Sequence, residues 1–138
     1  MENGNLTNAP DLKKYLDEVV HRHINTDSDS EILLNMFAAS LQTIGKRRVN
    51  AEDIFKSLEE VYSQVEGAYA CVAMIAGYGV IGFRDPYGVR PIILGERDTN
   101  GKKDYMFASE SVVLECLNFK VVCNLRPGTI SPHISNDR

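Results

Sequence analysis

Hydrophobic spacing changes period at Gly67, and that change most limits what this chain can fold into. Before it, apolar residues recur every three or four positions. Leu12, Tyr15, Leu16 and Val19 form one face, Ile32, Leu33, Met36, Phe37 and Leu41 a second, and Ile54, Leu58, Val61 and Val65 a third. Each set predicts an amphipathic helix, because residues three and four apart share one side of a helical turn. Start signals agree with the spacing. Asn8 precedes a helix with Pro10 as its second residue, Ser28-Asp29-Ser30-Glu31 opens the next, and Asn50 with Glu52 and Asp53 opens the third.

After Gly67 the pattern is extended. Residues 68–75 and 80–84 predict two strands joined by the tight turn Gly77-Tyr78-Gly79. Asp85-Pro86-Tyr87-Gly88 has type I turn chemistry. Further strands are predicted over 90–95 and 105–108, with a polar turn over 98–102 between them. A short helix capped by Ser109 carries Val112, Val113 and Leu117. Two more strands, 119–122 and 129–134, flank Pro127-Gly128. Tight turns between successive strands imply an antiparallel meander. Helices grouped apart from strands imply an α+β domain. Asn3-Gly4 reads as a turn, since that dipeptide commonly joins two strands. With that opening, and with polar residues 135–138 at the other end, the chain reads as a domain cut at both ends.

Composition removes several classes of function. The 138 residues suit one domain or most of one, and 43% hydrophobic with 25% charged residues is ordinary for a globular chain. A formal net charge of −4 weighs against nucleic acid as a partner. The basic run Gly45-Lys46-Arg47-Arg48 reads as a solvated loop. The longest apolar stretch, 68–83, is broken by three glycines and falls short of a bilayer span, so no membrane is expected. Cys71, Cys116 and Cys123 are odd in number and contain no CxxC, which suits reduced thiols in the cytoplasm. Cys71 lies mid-strand and reads as core, a poor nucleophile. Cys116 and Cys123 lack the second pair a zinc site needs. His21 and His23 suit a helix C-terminus better than a metal.

Three segments could carry chemistry. In Asn3-Gly4-Asn5-Leu6-Thr7-Asn8, a turn and a helix cap suffice as an explanation. The same residues could also aim a backbone N–H and a side-chain NH2 at one developing oxyanion. Residues 25–31 make an N-cap cluster, in which one carboxylate could instead face away and bind a ligand ammonium. Residues 82–91 read as a hairpin with a charged pair, Arg84 and Asp85, pinning its turn. Spacing alone leaves each choice open.

Together these segments resemble the class II, N-terminal-nucleophile glutamine amidotransferases. Within that group they are most similar to the amidophosphoribosyltransferase family. Asn3 to Asn8 resembles that family's oxyanion-hole segment. His23-Ile24-Asn25-Thr26 with Ser28-Asp29-Ser30-Glu31 resembles its glutamine-binding segment. Residues 67–72, 83–91 and 108–111 continue in the family's order. The resemblance implies a four-layer αββα sandwich, incomplete at its N-terminus, over residues 1–138. It implies that Asn3 and the Gly4 N–H stabilise the oxyanion, that Asp29 holds the α-amino group of glutamine, and that residues 84–91 and Ser109-Glu110 are structural. In that family an N-terminal cysteine attacks glutamine, and the ammonia released converts phosphoribosyl pyrophosphate to 5-phosphoribosylamine, the first committed step of purine synthesis. No cysteine stands near Met1 here. The chain alone is therefore expected to be inactive: either a portion of such an enzyme or a dead binding or oligomerisation module. No cofactor is expected in it, because Mg2+ belongs to the transferase domain. Glutamine is the expected ligand of the whole enzyme, and its affinity for this chain alone is expected to be too weak to matter. The whole enzyme is expected to be homo-oligomeric, and poor solubility is expected of the isolated chain.

Overall fold

The computed structural model describes residues 2–134, together with the side chains of residues 2–131. The polar residues 135–138, read above as a cut end, lie outside the described residues. The described residues divide into two compact units, 2–67 and 68–134.

The first unit holds a strand, β1 (Glu2–Leu6), and three helices: α1 (Ala9–Glu18), α2 (Asp29–Thr43) and α3 (Ala51–Gln64). The apolar faces predicted from spacing are buried where packing is tightest, at Leu12, Leu16, Ile32, Leu33, Met36, Phe37, Ile54, Leu58 and Val61. Burying each aliphatic side chain contributes about 1.5–3 kcal/mol, so this stripe is what holds the helices together. Tyr15 and Val19 are exceptions, both exposed, with Val19 at the C-cap of α1. Helix α3 opens with a reciprocal capping box between Asn50 and Asp53, and Lys46 reaches Asp53 at 2.7 Å.

Two local expectations are corrected here. Asn3-Gly4 is not a turn: it lies inside β1, and Gly4 has no positive φ, which a type I′ turn requires. Asn8 does sit at the N-cap of α1, but its side chain makes no cap bond. Its NH2 donates to the Gln64 carbonyl at 2.8 Å and its oxygen accepts from Glu66 N–H at 3.0 Å. It therefore ties the start of α1 to the end of α3. At the end of α1, His21 adopts a left-handed conformation, and the Arg22 N–H takes the Leu16 carbonyl at 2.8 Å. Backbone serves that carbonyl where the imidazoles were expected to.

In the second unit, β2 (Gly67–Ile75) pairs antiparallel with β3 (Gly79–Arg84), which pairs antiparallel with β7 (Ile130–Ile134). A separate three-stranded sheet has the order β5-β4-β6, from β4 (Ile93–Thr99), β5 (Lys102–Ala108) and β6 (Lys120–Asn124). The strands thus do not form one consecutive meander. The segment after β3 leaves its sheet, because Asp85 is fully buried and gathers the N–H groups of Tyr69, Tyr87 and Val89. The strand expected at 90–95 starts later, at Ile93, and runs on to Thr99, where Asn100 and Gly101 turn the chain. The polar turn narrows to Asn100-Gly101, both at positive φ, between the paired residues Thr99 and Lys102. Helix α4 (Ser111–Cys116) has Glu110, not Ser109, at its N-cap. It buries Leu114 and exposes Val112, Val113 and Leu117. The α+β class holds.

Candidate functional site

In an extended strand successive N–H groups point to opposite edges, so residues two apart share an edge. Strand β1 can be read this way. The Thr7 N–H donates to the Glu66 carbonyl at 2.8 Å, and a Cβ on Gly67 would stand 2.3 Å from the Asn5 carbonyl oxygen. The edge shared by Asn3, Asn5 and Thr7 therefore lies against residues 66–67. The opposite edge, shared by Glu2, Gly4 and Leu6, meets the head of α2. There the Leu6 N–H donates to Asp29 Oδ2 at 2.8 Å, and Ser30 Oγ donates to Glu2 Oε2 at 3.0 Å.

The two segments singled out in the sequence are thus brought together. The Gly4 N–H faces the edge that Asp29 docks on, one strand repeat or about 6–7 Å from the Leu6 N–H. That span suits an amino acid with a polar group at each end. Asn3 is exposed on the strand.

Three side chains at the head of α2 accept backbone N–H groups from the helix itself, from the loop before it and from β1. Ser28 is the N-cap and accepts from Ser30 N–H at 3.3 Å. Glu31, at the third helical position, reaches past Ser28 to the loop before it. It accepts from Asn25 N–H at 2.9 Å, Thr26 N–H at 2.8 Å, Thr26 Oγ1 at 2.6 Å and Asn25 Nδ2 at 3.3 Å. The Asn25 N–H, with the Thr26 hydroxyl next, holds the Glu31 carboxyl down at about 2. Asp27 bonds Lys13 at 2.7 Å, which lowers its pKa. Asp29 is left with one oxygen on β1. Its position at the first turn adds the favourable field of the helix N-terminus.

Sequence reasoning singled out Asn3, Gly4 and Asp29 and overlooked Glu31. The signal was present, since Ser28-x-x-Glu31 is the spacing of a capping box, here displaced toward the loop. A cleft of about 280 Å3 among α1, α2 and α3 is lined by none of the three.

The third motif is structural. Arg84 is buried and donates to the Leu125 carbonyl at 2.8 Å and to the Gly88 carbonyl, while Asp85 collects backbone N–H groups. Each charge is held by main chain of the turn, Arg84 on the Gly88 carbonyl and Asp85 on the Tyr87 and Val89 N–H groups, so the pair pins the turn through backbone. Cys71 is buried in β2, and Cys116 and Cys123 are exposed. Among the described residues, no three His, Cys, Asp or Glu side chains gather in a way that could hold a metal ion. Among the described residues, no helix is long and apolar enough to cross a membrane.

A family model described as a glutamine amidotransferase domain matches residues 1–116. Amidophosphoribosyltransferase of Schizosaccharomyces pombe is 59% identical over 126 residues, covering 91% of this chain and 24% of that protein. The Lachancea kluyveri protein of the same name is 61% identical over 127 residues, or 91% and 25% of the two chains. That of Escherichia coli is 50% identical over 127 residues, with the same coverage. The chain thus spans about a quarter of the length of these curated relatives.

Proposed function

Because this chain belongs to the glutamine amidotransferase domain family, we propose that β1 and the head of α2 form the substrate-holding half of a glutamine-hydrolysing site. Asp29 receives the α-ammonium of glutamine. Asn3 and the Gly4 N–H receive the side-chain carbonyl oxygen and stabilise the oxyanion formed on attack. The observation that carries this reading is the 2.8 Å bond from Leu6 N–H to Asp29, which puts the carboxylate on the edge the Gly4 N–H faces. In this reading Cys71 does not supply the attacking thiol, because it is buried in a strand, where burial disfavours the thiolate.

The high identity to amidophosphoribosyltransferases supports a further proposal about the whole protein. It uses glutamine-derived ammonia to turn phosphoribosyl pyrophosphate into 5-phosphoribosylamine, the first committed step of purine synthesis. Mg2+ serves its transferase part, and it works as a cytoplasmic homo-oligomer.

Titrating the 15N-labelled chain with L-glutamine tests the site by NMR. The Gly4, Leu6, Asp29 and Ser30 amides and the Asn3 side-chain NH2 should shift together with one dissociation constant. Glutamate release should stay at background. Shifts confined to other residues, or no shift up to the solubility limit of glutamine, would overturn the proposal. Turnover abolished by Asn3→Ala would keep the site and overturn only the expected inactivity.

A further inference from the structure

We propose that Glu31 is a positioning residue for the α-ammonium subsite: it folds residues 25–28 onto the head of α2 and so leaves Asp29 available to ligand. This inference rests on the glutamine-site reading above.

The argument starts from competition at a helix N-terminus. The first turn presents N–H groups with no partner inside the helix, and an aspartate there tends to turn back onto them. An Asp29 engaged in that way would not face a ligand. In this structure Ser28 takes two of the first-turn donors, the Ser30 N–H on its hydroxyl at 3.3 Å and the Glu31 N–H on its carbonyl at 3.1 Å, and the loop before Ser28 is itself held in place. The Thr26 hydroxyl accepts from Ser28 N–H at 3.2 Å. Glu31 accepts four bonds from Asn25 and Thr26, two of them from backbone N–H. Lys13 holds Asp27 at 2.7 Å, so the second acidic side chain of the loop is also occupied. Asp29 therefore makes its hydrogen bond outward, to Leu6 of β1.

Glu31 makes this arrangement rigid because one carboxylate fills both ends of a two-residue bracket. Glutamine at this position could still accept from one N–H. Its NH2 would then meet the Thr26 N–H donor-to-donor, and the loop would lose that half of the bracket. A released loop frees the Ser28 region to move, and Asp29 then divides its time between β1 and its own helix end.

The test is Glu31→Gln in the full chain, read with two ligands by NMR titration. L-Glutamine carries the α-ammonium and 4-carbamoylbutanoate lacks it. The dissociation constant for L-glutamine should rise about tenfold, the size of one lost charge-assisted contact, while that for 4-carbamoylbutanoate should hold. The Asn25 and Thr26 amide signals should move upfield and exchange faster. Glu31→Asp, which keeps the charge one methylene short, should fall between. Equal losses for both ligands would show a merely structural role and overturn the inference, as would an unchanged L-glutamine constant. If the unsubstituted chain binds neither ligand, the glutamine-site reading itself fails, a result visible before any variant is made.

Discussion

Asp29 and Glu31 stand two residues apart on the first turn of α2, and what each carboxylate meets separates their roles. Glu31 meets four donors from Asn25 and Thr26, whereas Asp29 meets the Leu6 N–H of β1. Those donors favour the charged form of Glu31 and hold its carboxyl at about 2, against an ordinary 4.5. The folded value lies below the unfolded one. The Glu31 contribution to stability is therefore complete above 4.5 and is lost as pH falls from there toward about 2. Urea unfolding midpoints measured across that window should fall more steeply for the unsubstituted chain than for Glu31→Gln. Parallel pH curves would show that the network contributes nothing to folding. Asp29 was singled out by its motif, because the segment that resembles the family's includes it. Glu31 was not, because its partners lie upstream of the cap and spacing says nothing of how far a side chain reaches back.

At the scale of elements, two Asn-Gly pairs show what a dipeptide can and cannot report. Asn100-Gly101 is flanked by strands that pair from Thr99 and Lys102 outward, and both its residues take positive φ. Asn3-Gly4 is held extended, because Asp29 takes an N–H on one edge of β1 and residues 66–67 lie along the other. The turn preference is real in both, and tertiary hydrogen bonds override it in one. Helix spans were read well because three amphipathic stripes recur at a clear period. The division into two sheets was not, because it depends on buried Asp85 gathering two N–H groups of its own turn and the distant one of Tyr69. Glycine substitutions should separate two kinds of constraint. At Gly101 a Cβ meets nothing within 4 Å, so Gly101→Ala should cost about 1 kcal/mol from its left-handed φ alone. At Gly67 the same methyl lies 2.3 Å from a backbone oxygen at φ +143°, so Gly67→Ala should cost about 3 kcal/mol or more. Chemical denaturation of the two variants checks the order. Equal costs would mean that β1 yields to residue 67 and is not fixed in place.

At the scale of the whole molecule, β6 is the outer strand of its sheet and all five of its residues are exposed, including Val121, Val122 and Cys123. An open edge carrying β-branched residues favours pairing with another chain. Sedimentation velocity should show association that grows with concentration, and Val122→Lys should reduce it. A monomer at every concentration would contradict this. The site makes a sharper demand, since β1 and α2 must grip opposite ends of one ligand. Removing the α-amino group from the ligand should abolish the effect of Asp29→Asn. Removing the side-chain amide should abolish the effect of Asn3→Ala. The decisive measurement is the affinity of the chain and these two variants for L-glutamine, 4-carbamoylbutanoate and L-norvaline, by NMR titration. Asp29→Asn should weaken L-glutamine and L-norvaline and spare 4-carbamoylbutanoate, while Asn3→Ala should weaken L-glutamine and 4-carbamoylbutanoate and spare L-norvaline. If both substitutions weaken all three ligands alike, or neither weakens any, the two segments do not share a glutamine pocket.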